Sequence, residues 1–291
     1  MGHRRFLPMD HKWRLQKTQF NGKRERKGAP KRLSGDDVLK QINGLPLVTF
    51  GKAGKQQRLD GRGKSHNWKK CSIFFDLPYW STLLLRHNLD VMHIEKNVCD
   101  NVIGIVLDIQ GKTKDSLYAR LDLQEMGIRK ELHPKLVDGK NILPPACYTL
   151  SNVEQRALCH WLQNIKVSDG YSANLSRCVN IGERKIHGMK THDCHVFLER
   201  LLPLAIRKLL PKHVSDALIE LSKFFKELCS KVLWLEDLQH MENQIPVTLC
   251  KLERIFPLAF FNIMVHLPIH LPWEAKVPGP VQYRWMYPIE M

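Results

Sequence analysis

HNLDVMHIEKNVCDNVIGIVLD, residues 87–108, is the stretch that decides how the chain is read. On a helical wheel, at about 100° per residue, Asp90, His93, Asn97, Asp100, Asn101, Gly104 and Asp108 share one narrow wedge. Leu89, Val91, Met92, Ile94, Val98, Val102, Ile103 and Val106 fill most of the remaining circumference. That distribution predicts a mainly buried helix with a polar stripe facing solvent. Asp90 and His93, one turn apart, also form a D-x-x-H pair, in which a carboxylate and an imidazole can hold a metal or orient each other. Glu95 and Lys96 fall on the apolar arc, so each needs a partner or a route to water.

Outward from this helix the chain continues as helices. Residues 114–126 form one, stopped by Gly127. SNVE, 151–154, is a capping box opening a helix to 165, with Leu158, Trp161, Leu162 and Ile165 on its core face. Thr191 is placed to cap a helix over 192–209, with a kink expected at Pro203. Residues 213–233 repeat apolar residues at helical spacing. Residues 236–255 do so with Pro246 inside, and 257–267 begin with proline at the first helical position. The tail, 268–291, reads as extended. Nearer the N-terminus, Ser34 followed by Asp36 and Asp37 predicts a helix over 34–43, and SIFF, 72–75, is ambiguous with a short strand.

Charge divides the chain. Residues 1–70 carry 19 Lys/Arg against 5 Asp/Glu, a net of +14, whereas residues 71–291 carry a net of +2. The basic quarter has little apolar periodicity and reads as an irregular arm suited to a polyanion. KRERKGAPKR, 23–32, is its densest cluster, and serves either as a phosphate clamp, a nuclear import signal or a solvated loop. With few aromatics nearby, binding to nucleic acid would be mainly to phosphates and salt-sensitive. Candidate contacts are Arg4, Arg5, Lys23, Arg24, Arg26, Lys27, Lys31 and Arg32.

No stretch of 18 apolar residues occurs, so no membrane helix is expected, and the first residues lack a secretory signal. The eight cysteines form no C-x2-C pair and read as reduced core residues of a cytosolic or nuclear protein. THDCH, 191–195, sets His192 and His195 one turn apart, with His187 near. No second ligand pair follows at zinc-site spacing, and a helix start with Cys194 packed inward is the simpler reading. His266 and His270, with Pro268 between them, read as packed or partly exposed histidines. No small-molecule fingerprint is present.

Long ordered strings then point to a family. HNLDVMHIEKNVCDNVIGIVLDIQGKTKD (87–115), MGHRRFLPMDHKWR (1–14), GIRKELHP (127–134), LPPACYTLS (143–151), MKTHDCHVFLERLLPLAIRKLLP (189–211) and GPVQYRWMYPIE (279–290) together resemble plant CACTA-type (En/Spm) DNA transposases. The part from about 140 resembles a domain of unknown function found C-terminally in them. The resemblance implies an RNase H-like core with three acids holding two divalent ions, Mg or Mn, and a helical region inserted before the third acid. Asp90 and His93 match the D-x-x-H element that follows the second acid, and Glu290 takes the place of the third. The first two acids would lie upstream of residue 1. The expectation is therefore a truncated, transposase-derived nuclear protein that contacts DNA through its basic arm, needs no cofactor as it stands and lacks strand-transfer activity. Two alternatives remain: a helical module that binds protein partners or itself, and an active transposase whose gene is longer than this reading frame. The expected fold is mainly α, with an arm over 1–70, a D-x-x-H segment over 71–138 and a helical domain over 139–291.

Overall fold

Apolar spacing near 3.6 residues dominates the sequence, and helices dominate the computed structural model, which describes residues 2–45, 63–68, 72–168 and 174–284. The fold is mainly α, with two small antiparallel hairpins among the described residues. The described residues fall into two compact units, Pro30–Asn88 and the remainder.

In the smaller unit, α1 (Gly35–Asn43) begins as expected: the Ser34 hydroxyl accepts from Asp37 N–H at 3.0 Å, and the Asp37 carboxylate returns to Ser34 N–H at 3.1 Å. SIFF is not a strand. Ser72 caps a 3-10 turn, Ile73–Asp76, that brings the Phe75 ring edge-on to Trp80 at 4.7 Å. Gly35 is required where α1 meets this turn region, because a Cβ there would lie 2.2 Å from the Ser81 carbonyl oxygen.

In the larger unit, α2 (Val91–Val106) is the buried helix read from 87–108, and it packs on α5 (Thr191–Val196) and α9 (Ile263–His266). Its polar stripe reaches solvent only in part. His93 and Asp108 are exposed, but Asn101 and Gly104 are buried. α3 (Leu117–Glu125) stops where expected, with Gly127 at φ 65° and Ile128 N–H on the Leu123 carbonyl. α4 (Asn152–Asn164) carries the Ser151–Glu154 capping box. α7 (Lys212–Leu228) and α8 (Leu235–Ile255) pack along each other, and Pro246 is buried inside an unbroken α8.

Three local expectations are corrected. Lys190, not Thr191, holds the cap position of α5, and Asp193 closes it by accepting from Lys190 N–H. The helix expected over 192–209 runs unbroken from α5 through a π turn, Phe197–Leu201, into α6 (Leu202–Ile206), and the wider turn directly precedes Pro203. After α8 no single helix spans 257–267. Asn262 caps the four-residue α9 instead. Residues 268–284 are not extended, because Pro268 and Pro272 each open a helical turn, the second being α10 (Leu271–Ala275). The hairpin of β1 (Lys135–Val137) and β2 (Lys140–Ile142) turns at Asp138-Gly139, both at positive φ. A second hairpin joins β3 (Val179–Asn180) to β4 (Lys185–Ile186). None of the described helices is long and apolar enough to cross a membrane.

The N-terminal residues dock on α8. Leu7 and Phe20 pack with Cys250, and the His3 ring lies 2.7 Å from the Glu253 carboxylate. His266 lies beside this pair, its ring tilted to His3 at 5.2 Å and edge-on to His270 at 5.3 Å. Burial, then the neighbouring His3 and His270, push the His266 imidazole down to about 4. The unfolded chain takes up that proton near 6.5, so between the two values it binds more protons than the folded chain, and stability falls as the pH is lowered. We expect the melting temperature to drop between pH 6.5 and 4 and the drop to shrink in His266→Gln. Identical pH profiles for the two proteins would contradict this assignment.

Candidate functional site

Three groups of polar residues stand out from the helical packing. The first is the D-x-x-H pair. Asp90 is the N-cap of α2, and its Oδ1 accepts the His93 backbone N–H at 3.1 Å. This is the carboxylate's helix-capping role. The His93 imidazole is exposed, and its carbonyl accepts from Asn97 Nδ2 at 2.8 Å. The two residues therefore meet at one helix end, through the backbone rather than ring to carboxylate. Glu290 lies outside the described residues.

The second group is the basic segment, whose eight candidate cations divide sharply. Arg4 is only 3% exposed. Its Nη1 donates to the Gln16 carbonyl at 2.6 Å, its Nη2 to Asn21 Oδ1 at 2.7 Å and the Lys23 carbonyl at 2.9 Å, and its guanidinium covers the Phe20 ring at 4.4 Å. A guanidinium enclosed in this way is a structural clamp, so Arg4 does not join the surface expected for it. Arg14, not singled out by the sequence, is its twin at 1% exposure. It donates to the carbonyls of Arg4, Leu7 and Lys27 at 2.7, 3.1 and 2.6 Å. Glu25 N–H adds a bond to the Arg14 carbonyl at 2.8 Å, and Arg5 Nε one to the Gly28 carbonyl at 3.2 Å.

The consequence is a surface. Backbone contacts at residues 23, 25, 27 and 28 fix the segment, while the side chains of Lys23, Arg24, Arg26 and Lys27 are exposed. Arg5 is half-buried beside them in the chain fold. Lys31 and Arg32 are exposed in the smaller unit. Composition alone suggested a loose arm. Two buried arginines instead knit its first part together through bonds within residues 4–27, and Leu7, Phe20 and His3 seat that part on α8.

The third group answers the question raised by Glu95 and Lys96. Lys96 pairs with Asp100 at 3.3 Å, one turn along α2. Glu95 is fully buried, and its Oε2 lies 2.8 Å from His195 Nδ1. His195 also faces Glu199, the next turn along, at 3.4 Å. Cys229, just past α7, completes a set whose ligand-type atoms all lie within 4.8 Å of one another. Burial first, only partly offset by His195, raises the Glu95 carboxyl. Burial and then the charge of Glu95 push Glu199 up to about 7. Burial opposes protonation of His195, but the hydrogen bond and charge of Glu95, with Glu199, outweigh it and raise the imidazole. Burial, then both carboxylates, drive the Cys229 thiol far up. Among the described residues this is the one group of three or more such side chains close enough to share a cation.

Two carboxylates open to solvent and set around a pair of Mg or Mn ions are a different arrangement. Asp90 is engaged as a cap, and no second carboxylate joins it in a ligand group among the described residues. These residues do not fit a two-metal strand-transfer site.

Comparison with known proteins locates two matched segments. The family model described as transposase family tnp2 matches residues 1–45, and that described as domain of unknown function (DUF4218) matches residues 228–291. No curated protein and no solved structure matches the chain. The two segments support a transposase-derived protein. The transposase match covers the clamped basic segment, and the other begins one residue before Cys229.

Proposed function

We propose that this transposase-derived chain is of the plant CACTA type and associates with DNA in the nucleus through Lys23, Arg24, Arg26 and Lys27. The observation that carries the proposal is the pinning of residues 21–27 by Arg4 and Arg14, which displays four exposed cations on a folded surface. Cations held in this way engage phosphates with less ordering cost than a free arm. Because base-stacking aromatics are few, the contact is mainly to the backbone and weakly sequence-selective. Asp90 and His93 stand, in this reading, beside the catalytic acids of the family rather than among them. The chain by itself does not carry out strand transfer.

Replacing Lys23, Arg24, Arg26 and Lys27 together by Gln tests this while leaving Arg4 and Arg14 in place. The expected result is about a tenfold or greater loss of affinity for a short duplex, with helicity and melting temperature unchanged. Unchanged affinity would remove the strip from the interface. A second reading, a protein-interaction module, is favoured by the exposed Val232, Trp234 and Leu235 at the start of α8. It gains if the quadruple variant binds DNA like the parent.

A further inference from the structure

Carboxylates seldom converge in a protein interior, because each resists losing its water. Glu95 and Glu199 do converge here, beside His195 and Cys229, and they arrive from separate elements: α2, the π turn, α5 and the end of α7. We infer that Glu95, His195, Glu199 and Cys229 form a closed binding site for one divalent first-row transition metal ion, zinc fitting best.

Three observations carry this. The four donor atoms lie within 4.8 Å of one another, and a tetrahedral zinc with bonds of 2.0–2.3 Å needs ligands about 3.3–3.8 Å apart, a contraction that side-chain rotation supplies. Glu95 Oε1, on a side chain only 1% exposed, has no hydrogen-bond partner, so acceptor capacity is left over at the point of convergence. The donor chemistry is mixed: one thiol, one imidazole and two carboxylates. Magnesium and calcium prefer all-oxygen shells, whereas sulfur and nitrogen donors select zinc and its neighbours. Four protein ligands leave no open position, which marks a structural ion rather than a catalytic one. Such an ion would cross-link α2, α5 and the α7 end, and so fix the helix that presents Asp90 and His93. The inference is independent of DNA binding.

The test uses the full chain, stripped with a chelator and titrated with Co2+ alone. The expected result is one equivalent bound, with a thiolate-to-cobalt charge-transfer band and visible bands of tetrahedral intensity. Cys229→Ser should lose the charge-transfer band. Glu95→Gln with Glu199→Gln should bind about a hundredfold more weakly or worse. A band that survives Cys229→Ser would overturn the site. Cys147, whose Sγ lies 3.9 Å from His213 Nε2, is the obvious competitor. X-ray absorption on the zinc-loaded parent needs no variant. One sulfur and three nitrogen or oxygen neighbours agree with the site. No sulfur, several sulfurs, or no binding by the folded parent would overturn it.

Discussion

Replacing Asp115 by Ala is expected to lower stability by about 3–5 kcal/mol, the cost of leaving a buried charge without its partner. The orphan would be Arg120, which is 2% exposed. Asp115 takes both sides of its guanidinium, with Nη2 at 2.7 Å and Nε bonded to the other oxygen. The Tyr148 hydroxyl donates to the same carboxylate at 2.9 Å. Arg120 in turn serves the carbonyls of Leu132 and Pro144 at 2.9 and 3.3 Å. One network thus ties α3 to both flanks of the β1–β2 hairpin. Without Asp115 the guanidinium keeps only carbonyl partners, and the Tyr148 hydroxyl loses its acceptor. Thermal melting should shift down by on the order of 10 °C. The double variant Asp115→Ala, Arg120→Met should regain much of the loss, since it removes the stranded charge as well as its partner. A single variant that melts like the parent, or a double variant that is worse than the single, would contradict the account.

The second large effect is at Arg14. Arg14→Met keeps the length and apolar stem but strips three carbonyls of their donor. Each buried acceptor left unsatisfied costs about 1–3 kcal/mol, so the expected loss is about 2–4 kcal/mol after partial access of water. Much of it should appear as local opening of residues 2–28, because their contacts with α8 are few beside the main core. Amide exchange should quicken in this segment while α7 and α8 stay protected. DNA affinity should fall as well, although Arg14 is too buried to touch a phosphate. Tight DNA binding alongside fast exchange would show that the strip works without being pinned.

Much of the architecture was legible because period and capping agree. In α2, α4 and α7 the apolar spacing names the buried residues, and Ser34–Asp37 and Ser151–Glu154 mark their helix starts through side-chain bonds to backbone N–H. The segment 257–284 misled, since it read as one helix followed by an extended tail, whereas Asn262, Pro268 and Pro272 start successive short turns. The Asp138-Gly139 hairpin carried a turn signal, but its flanking strands of three residues are exposed and lack alternation.

The sites were legible only in fragments. Glu95 announced itself as a charge on an apolar arc, and its need of a partner was plain. The partner was not, because His195 lies 100 residues away and nothing local joins them. A zinc search by short spacing fails for the same reason, since Glu95, the His195–Glu199 turn and Cys229 meet only in the fold. The basic segment misled in the opposite direction. Arg4 looked like its neighbours Lys23 and Arg24, but no pattern in an irregular stretch tells a buried guanidinium from a solvated one. Carbonyls, not acids, are its partners, and sequence does not reveal their positions.

The central claim is that a pinned basic strip on a transposase-derived protein binds DNA phosphates. A titration of the full chain against a duplex, by fluorescence anisotropy at stepped salt from 50 to 200 mM, tests it most directly. Four phosphate contacts predict a log–log slope between about −3 and −4 and a loss of roughly a hundredfold in affinity across that range. No binding at the lowest salt, or binding that does not change with salt, would contradict the claim.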